Sequence, residues 1–238
     1  MRSLLVLAAA PLLVSAAPSG PDRSVLPPTT PLCEAPAPTT SGAALGTPAP
    51  AQGESLMDPR FGGGLGFFEV DGAAVGPRTT STAPIELELT GPARRRADEP
   101  LGLALGFVNR SASAAVVMRA LDGSLEHWRE PHYDIHLRDE ATGRVYRWDY
   151  HGGRCGNVNP VRDEDYVTLA PGERRDDVAG GWSGLRGAAV GAPGRYAVWV
   201  VYRYCGGPAQ GIPLGPNAQR PDVTRGVFAS NAITIEVR

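Results

Sequence analysis

Lysine is absent from this 238-residue sequence, and all 23 of its basic residues are arginine. Combined with high alanine, glycine and proline, that bias is typical of a GC-rich genome and carries no functional signal. The formal net charge is −2, whereas a general nucleic-acid binder needs an excess of positive charge. We therefore expect no nucleic-acid partner.

Long apolar runs are also missing, except at the N-terminus. The run at 4–17 follows the positive Arg2 and ends on the small residues Ser15, Ala16 and Ala17. That layout is typical of a secretory signal peptide, and it falls short of the roughly 20 apolar residues of a transmembrane helix. The sequence predicts that residues 1–17 are a signal peptide. The mature protein is then secreted or periplasmic, with no membrane insertion after cleavage.

The next segment has little that could form a core. Pro, Ala, Thr, Ser and Gly dominate from residue 18 to about 52, and such a composition does not offset the chain entropy of folding. We predict that residues 18–83 are a mostly disordered Pro/Ala/Gly-rich linker, with 53–83 as the part that could instead cover the folded domain. Residues 84–238 are then one domain, long enough for one sizeable core.

Residues 84–238 contain eight short stretches with the period-2 alternation of β-strands. No convincing helical period separates them, which predicts an all-β fold, specifically an immunoglobulin-like antiparallel β-sandwich. Tyr196 stands where that fold places its tyrosine corner. Gly102 and Gly106 share one face of a predicted strand, so something must approach the sheet closely there. The predicted strands are 85–89, 101–109, 115–120, 133–138, 145–150, 166–169, 195–204 and 232–237.

Patterns that would indicate an enzyme are absent. The sequence has no His-Glu-x-x-His, no complete Gly-x-Ser-x-Gly, and no glycine loop that leads into a helix and could bind phosphate. Each of those reactions needs its groups held close together at one site. We therefore expect a protein without enzymatic activity and without a cofactor.

One polar cluster remains, formed by His132, Asp134 and His136 on one face of a predicted strand. A strand rises about 3.3 Å per residue, so the two histidines lie about 13 Å apart, too far to share one ion comfortably. Asp134 with either histidine could supply two metal ligands, and a third would have to come from elsewhere. We expect a solvated outer face, with metal binding or catalysis on this strand as the alternative.

Residues 163–173 (DEDYVTLAPGE) and 193–198 (PGRYAV) resemble the β-sandwich domain that precedes the catalytic domain in peptidyl-Lys (deuterolysin-like) metalloendopeptidases. The predicted strands 85–89 and 101–109 have the matching order. The resemblance implies a pro-domain or accessory domain that acts beside a protease. No catalytic or zinc residue of that family has a counterpart in this sequence, so none is carried over.

These observations together predict an exported, non-catalytic β-sandwich module that binds a protein partner. The resemblance implies a protease as that partner and a protease-associated inhibitor or chaperone-like role. The Gly- and Pro-rich stretches 152–160 and 206–221 are long enough to form the contact surface at one pole of the sandwich.

Three cysteines enter an oxidising compartment if the chain is exported. Cys155 and Cys205 lie at strand ends, where loops meet at one pole, whereas Cys33 lies in the predicted linker. Two unpaired thiols are the alternative. We predict a Cys155–Cys205 disulfide, which would contribute about 4 kcal/mol on the chain-entropy model. Non-reducing peptide mapping should recover the two peptides joined, and recovery of both as free thiols from exported protein would contradict the pairing.

Overall fold

The computed structural model describes residues 39–44, 64–71, 76–78, 83–119, 132–151, 162–179, 185, 187–205 and 222–238. Within them the fold is all-β, interrupted by a 3-10 turn at Asp163–Asp165 and by helical residues at 185 and 187. None of the described helical residues belongs to an apolar helix of membrane-spanning length. The strands are β1 (Thr39–Ala44), β2 (Gly64–Asp71), β3 (Ile85–Thr90), β4 (Arg94–Arg95), β5 (Ala104–Asn109), β6 (Ala115–Met118), β7 (His132–Asp139), β8 (Val145–His151), β9 (Tyr166–Leu169), β10 (Arg174–Arg175), β11 (Gly194–Tyr204), β12 (Gly226–Ala229) and β13 (Ile233–Val237).

The described strands form three sheets. The large sheet has the order β1-β2-β8-β7-β11-β13-β4, and β12 also pairs with β11. A second sheet has the order β10-β5-β3, and β6 pairs with β9. The described pairs are antiparallel except β13 with β4, which run parallel. Because β3 and β4 are consecutive, the chain crosses from the second sheet to the large one between them.

The eight predicted strands are all present, with bounds that differ by a few residues. The largest difference is in 101–109, where the strand begins only at Ala104. Gly102 adopts a φ of +67°, which breaks the extended backbone before that point. Leu101 and Leu103 are nevertheless buried in the core, as their alternation predicts.

Two strands, β1 and β2, lie N-terminal to residue 84, and β2 falls within 53–83, the stretch that could instead cover the folded domain. β2 pairs along its length with β8, and β1 pairs with β2. Phe67 of β2 is fully buried and packs edge-on against Trp148 at 5.1 Å. The composition of this segment did not indicate β2. One buried aromatic side chain and a ladder of backbone hydrogen bonds join this glycine-rich strand to β8.

The core lies between the large sheet and the two smaller ones. Phe107 of β5 contacts Tyr133 of β7 and Tyr202 of β11, at ring-centroid distances of 6.3 and 5.4 Å. The Tyr133 hydroxyl donates to the carbonyl of Met118, and the Met118 N–H donates to the Tyr202 hydroxyl. Burial raises the pKa of Tyr133 well above its ordinary value, so the hydroxyl keeps its proton and remains a donor.

Ser230 and Asn231 tie the sheets together at the other side of the core. Ser230 is fully buried, and it exchanges backbone and hydroxyl hydrogen bonds with Val200 of β11. The Asn231 side chain bonds both main-chain groups of Leu89 in β3. Two adjacent polar residues therefore satisfy backbone groups of both sheets, which a buried sheet edge requires.

The predicted close approach at the two strand glycines is confirmed. A Cβ at Gly106 would lie 2.8 Å from the Arg174 guanidinium and 2.7 Å from the Asp176 carboxylate. A Cβ at Gly102 would collide with the Arg95 guanidinium. Arginine side chains of β4 and β10 thus approach closely at these two glycines.

The local contact of Tyr196 is present, and two tight turns depend on glycine. Gly143 and Gly172 have φ values of +74° and +75°, which each tight turn needs at that position. The Asp139 carboxylate accepts hydrogen bonds from the Thr142 hydroxyl and from the Ala141 N–H. Both lower the pKa of that carboxyl, and the Thr142 hydrogen bond has the larger effect. The Tyr196 hydroxyl donates to a carbonyl four residues upstream at 2.9 Å, the contact of a tyrosine corner.

The burial of Phe67 allows a direct test of whether β2 belongs to the folded domain. We expect Phe67→Ala to lower the free energy of unfolding by about 3–5 kcal/mol, because it leaves a cavity against Trp148. Phe68→Ala, at the half-buried neighbour on the opposite face, is the matched control and should cost less. Urea unfolding of both variants measures the difference. Equal small losses would show that β2 does not belong to the core.

Candidate functional site

The large sheet has a second face, turned away from the core, which we call the outer face. Strand alternation places on it every second residue of each strand, opposite the core residues such as Ile135 and Val200. Its residues include Gly66, Phe68, Arg94, His132, Asp134, His136, Arg138, Arg147, Arg195, Ala197, Trp199, Val201, Arg203, Thr234 and Glu236.

One half of the outer face is buried, so the expectation that it is solvated is wrong. Asp134 is 2% exposed and His136 is 1% exposed, and Arg147 and Arg203 are buried as well. Polar side chains belong on a solvated sheet face when that face is open. Here the face is covered, and ionisable groups of both signs are buried on it.

Four residues form a row across four adjacent strands of this buried half. Arg147 of β8 pairs in register with Phe68 of β2 on one side and with His136 of β7 on the other. His136 in turn pairs with Trp199 of β11. The His136 and Trp199 rings stack, with centroids 5.3 Å apart and planes inclined by 13°. Cross-strand neighbours of this kind are the contacts that stabilise a sheet. The ring stack therefore joins β7 to β11 across the outer face.

The arrangement does not favour a cation at the predicted cluster. Arg147 of β8 pairs in register with His136, and Arg203 of β11 pairs in register with His132, and both arginines are buried. A fixed positive charge in a buried site repels a metal ion strongly. Within the described residues, no three His, Cys, Asp or Glu side chains converge as a metal site. The side chain of His132 lies outside the described residues.

The sequence of β11 itself indicates that the outer face is buried. The strand places Ala197, Trp199 and Val201 on the outer face as well as Val198 and Val200 on the inner one. Apolar residues on both faces indicate a strand that is covered on both sides. Asp134 and His136 pair directly with Val201 and Trp199, so they had to be buried with them.

The other half of the outer face is open and forms a groove at the β11–β13–β4 end of the sheet. Its volume is about 700 Å³, and small residues such as Gly194 and Thr234 contribute to its floor. Exposure along β11 rises from buried Arg203 and Val201 to exposed Arg195 at the start of the strand. The groove residues are Ala93, Arg94, Gly194, Arg195, Thr234, Glu236 and Val237.

Charged side chains alternate in sign across this groove. Arg195 of β11 pairs in register with Glu236 of β13, which pairs with Arg94 of β4. Glu236 accepts hydrogen bonds from Arg238 at 2.8 Å and from Arg94 at 3.2 Å. The Arg238 hydrogen bond, more than its charge or that of Arg94, lowers the pKa of the Glu236 carboxyl. Arg195 itself pairs with Glu140 at 2.7 Å.

The predicted contact loops and one of the predicted cysteines lie outside the described residues. Those are 152–160, 206–221 and Cys155. Cys205 directly follows β11, and its sulfur is disulfide-bonded. Its pairing with Cys155 stays a prediction.

The chain was compared with known proteins at three levels. No family model, no curated protein and no solved structure matches it.

The ion pairs of the groove predict a pH dependence with a definite sign. Because the pKa of Glu236 is lowered in the folded protein, its contribution to stability is present above the unfolded pKa and is lost as pH falls through the folded pKa. NMR titration of Arg238→Gln should show the Glu236 pKa moved up towards that of an unpaired glutamate. Arg96→Gln, which removes an exposed arginine that pairs with Glu99 instead, should leave it in place.

Proposed function

We propose that this chain is an exported, non-catalytic module with an immunoglobulin-like β-sandwich fold, and that it binds a protein partner through the groove of the outer face. The observation that carries the proposal is the groove itself, a concave surface lined by exposed charged side chains at the open end of the sheet. Arginine is enriched at protein interfaces, where its guanidinium makes several hydrogen bonds at once.

The fold part of the proposal is supported by three features. The large sheet and the β10-β5-β3 sheet face each other across one core. Consecutive strands change sheets, as β3 and β4 do, in the manner of sandwich folds. The Tyr196 hydroxyl makes the local hydrogen bond of a tyrosine corner.

The backbone beside the groove suits a polypeptide ligand. The carbonyls of Ala93 and Arg95 accept hydrogen bonds from β13. Main-chain groups alternate in direction along a strand, so those of Arg94 point away from β13 towards the outer edge of β4. A peptide that crosses the groove can hydrogen-bond to these main-chain groups where it reaches the edge of β4.

A protease is the first partner to test, with an inhibitor or chaperone-like role for this module. That choice rests on the resemblance of 163–173 and 193–198 to the sandwich domain of peptidyl-Lys metalloendopeptidases. The signal-peptide pattern of residues 1–17 would place the chain in the compartment where secreted proteases act.

Metal binding on β7 is the alternative, and the burial of Arg147 beside His136 argues against it. Calorimetric titration with zinc, copper and calcium tests it, together with a hydrolase screen. We expect neither micromolar metal binding nor turnover. Metal binding that is lost in His136→Ala, or turnover above background, would overturn the proposal.

Site-specific crosslinking tests the location of the partner surface. A photoreactive residue at Thr234, exposed within the groove, should capture the partner from secreted or periplasmic material. The same residue at Thr168, an exposed mid-strand threonine of β9 on a different sheet, is the matched control and should not. Equal capture at both positions would show that the groove is not the contact surface.

A further inference from the structure

We infer that the groove binds an acidic segment of its partner, one whose Asp or Glu carboxylates contact Arg94, Arg195 and Arg138. This inference rests on the proposed function, because it names the chemistry of the partner at the same site. The inference depends on the guanidinium groups of the groove, which stay exposed to solvent although they form ion pairs.

The arginines of the groove are held loosely by their intramolecular partners. Side-chain exposures are 68% for Arg94 and 69% for Arg195, although each forms one ion pair through its Nε. Exposed pairs of this kind contribute little to stability. The terminal nitrogens of both guanidiniums are therefore accessible to a carboxylate, which they can bind through two parallel hydrogen bonds.

Arg138 adds a third positive charge at the edge of the groove. It pairs in register with Ala197, which pairs on its other side with Thr234 in the groove floor. Arg138 is exposed, and none of the described acidic residues forms an ion pair with it. Arg138 does not itself line the groove, and the buried Ala197 lies between it and Thr234 in the row.

The spacing of these charges fits an extended polypeptide. Neighbouring strands lie about 4.8 Å apart, so the backbones at Arg195 and Arg94 are separated by about 10 Å across β13. Alternate side chains of an extended peptide lie about 6.6 Å apart on one side. Long arginine side chains cover the difference, so carboxylates at alternate positions can contact both guanidiniums.

A protein ligand suits this groove better than a nucleic acid. Glu236 lies between Arg195 and Arg94 in the row, and Glu140 lies beside Arg195. These carboxylates repel a continuous chain of phosphates, whose binding depends on neutralising each charge. A peptide carries N–H donors as well as carboxylates, so it can satisfy the two glutamates and the arginines together.

Fluorescence anisotropy on the full chain tests the inference with a labelled peptide of alternating Glu and Ser. The control peptide has Gln in place of each Glu. We expect the Glu peptide to bind, more weakly at high salt, and the Gln peptide to bind at least about tenfold more weakly. The double variant Arg94→Gln/Arg195→Gln should weaken Glu-peptide binding by at least about tenfold.

Arg138→Gln should also weaken binding, and it removes a charge without breaking an ion pair among the described residues. Arg162→Gln is the matched control, because Arg162 is similarly exposed and pairs only locally with Glu164. It should leave the affinity unchanged. Thermal unfolding of each variant verifies that it folds.

Three outcomes would overturn the inference. The first is no preference for the Glu peptide, and the second is equal affinity in the groove variants and Arg162→Gln. The third is tighter binding of single-stranded DNA that the same groove variants abolish. If any of these occurs while the crosslinker at Thr234 still captures a protein, the proposed function stands and only the acidic chemistry is wrong.

Discussion

The rest of the structure depends on one constraint, the burial of β11 on both faces. Its inner face supplies Tyr202 to the core, against Phe107 of the facing sheet, and its outer face supplies Trp199 to the stack with His136. Three neighbours, β7, β12 and β13, pair with this strand along its length. Because both faces and both edges are occupied, the strand sets the register of the large sheet and the position of every residue on the outer face.

That constraint divides the outer face into two parts with different physical character. Towards the end of β11 the face is closed, and Asp134, His136 and Arg147 lie in a low-dielectric environment where charges interact strongly. Towards its start the face opens, and Arg195 and Glu236 lie in solvent, where their attraction is screened. The two-residue strand β4 ends the described part of the sheet with arginines, and a short, charged edge strand limits pairing with other chains.

Local patterns predicted the β-strands well because alternation, turn glycines and strand-end tyrosines act within a few residues. Tyr196 is an example, since its hydroxyl donates to a carbonyl only four residues upstream. Phe67 shows the opposite case. Its segment is rich in glycine and has no strong pattern of its own, yet it is buried because β8 offers an edge and Trp148 offers a contact. The groove escaped prediction for the same reason: Arg94, Arg195 and Glu236 are far apart in the chain and become neighbours only through strand pairing.

By itself, the sequence determined the all-β class, the approximate position of eight strands and the close approach at Gly106. These follow from backbone sterics and from the period of side chains along one strand. Only the tertiary structure decided that His136 is buried and that Arg195 is exposed, although both belong to the same face of the same sheet. A period-2 pattern assigns residues to a face, but whether that face is covered depends on segments distant in sequence, and no local pattern encodes that.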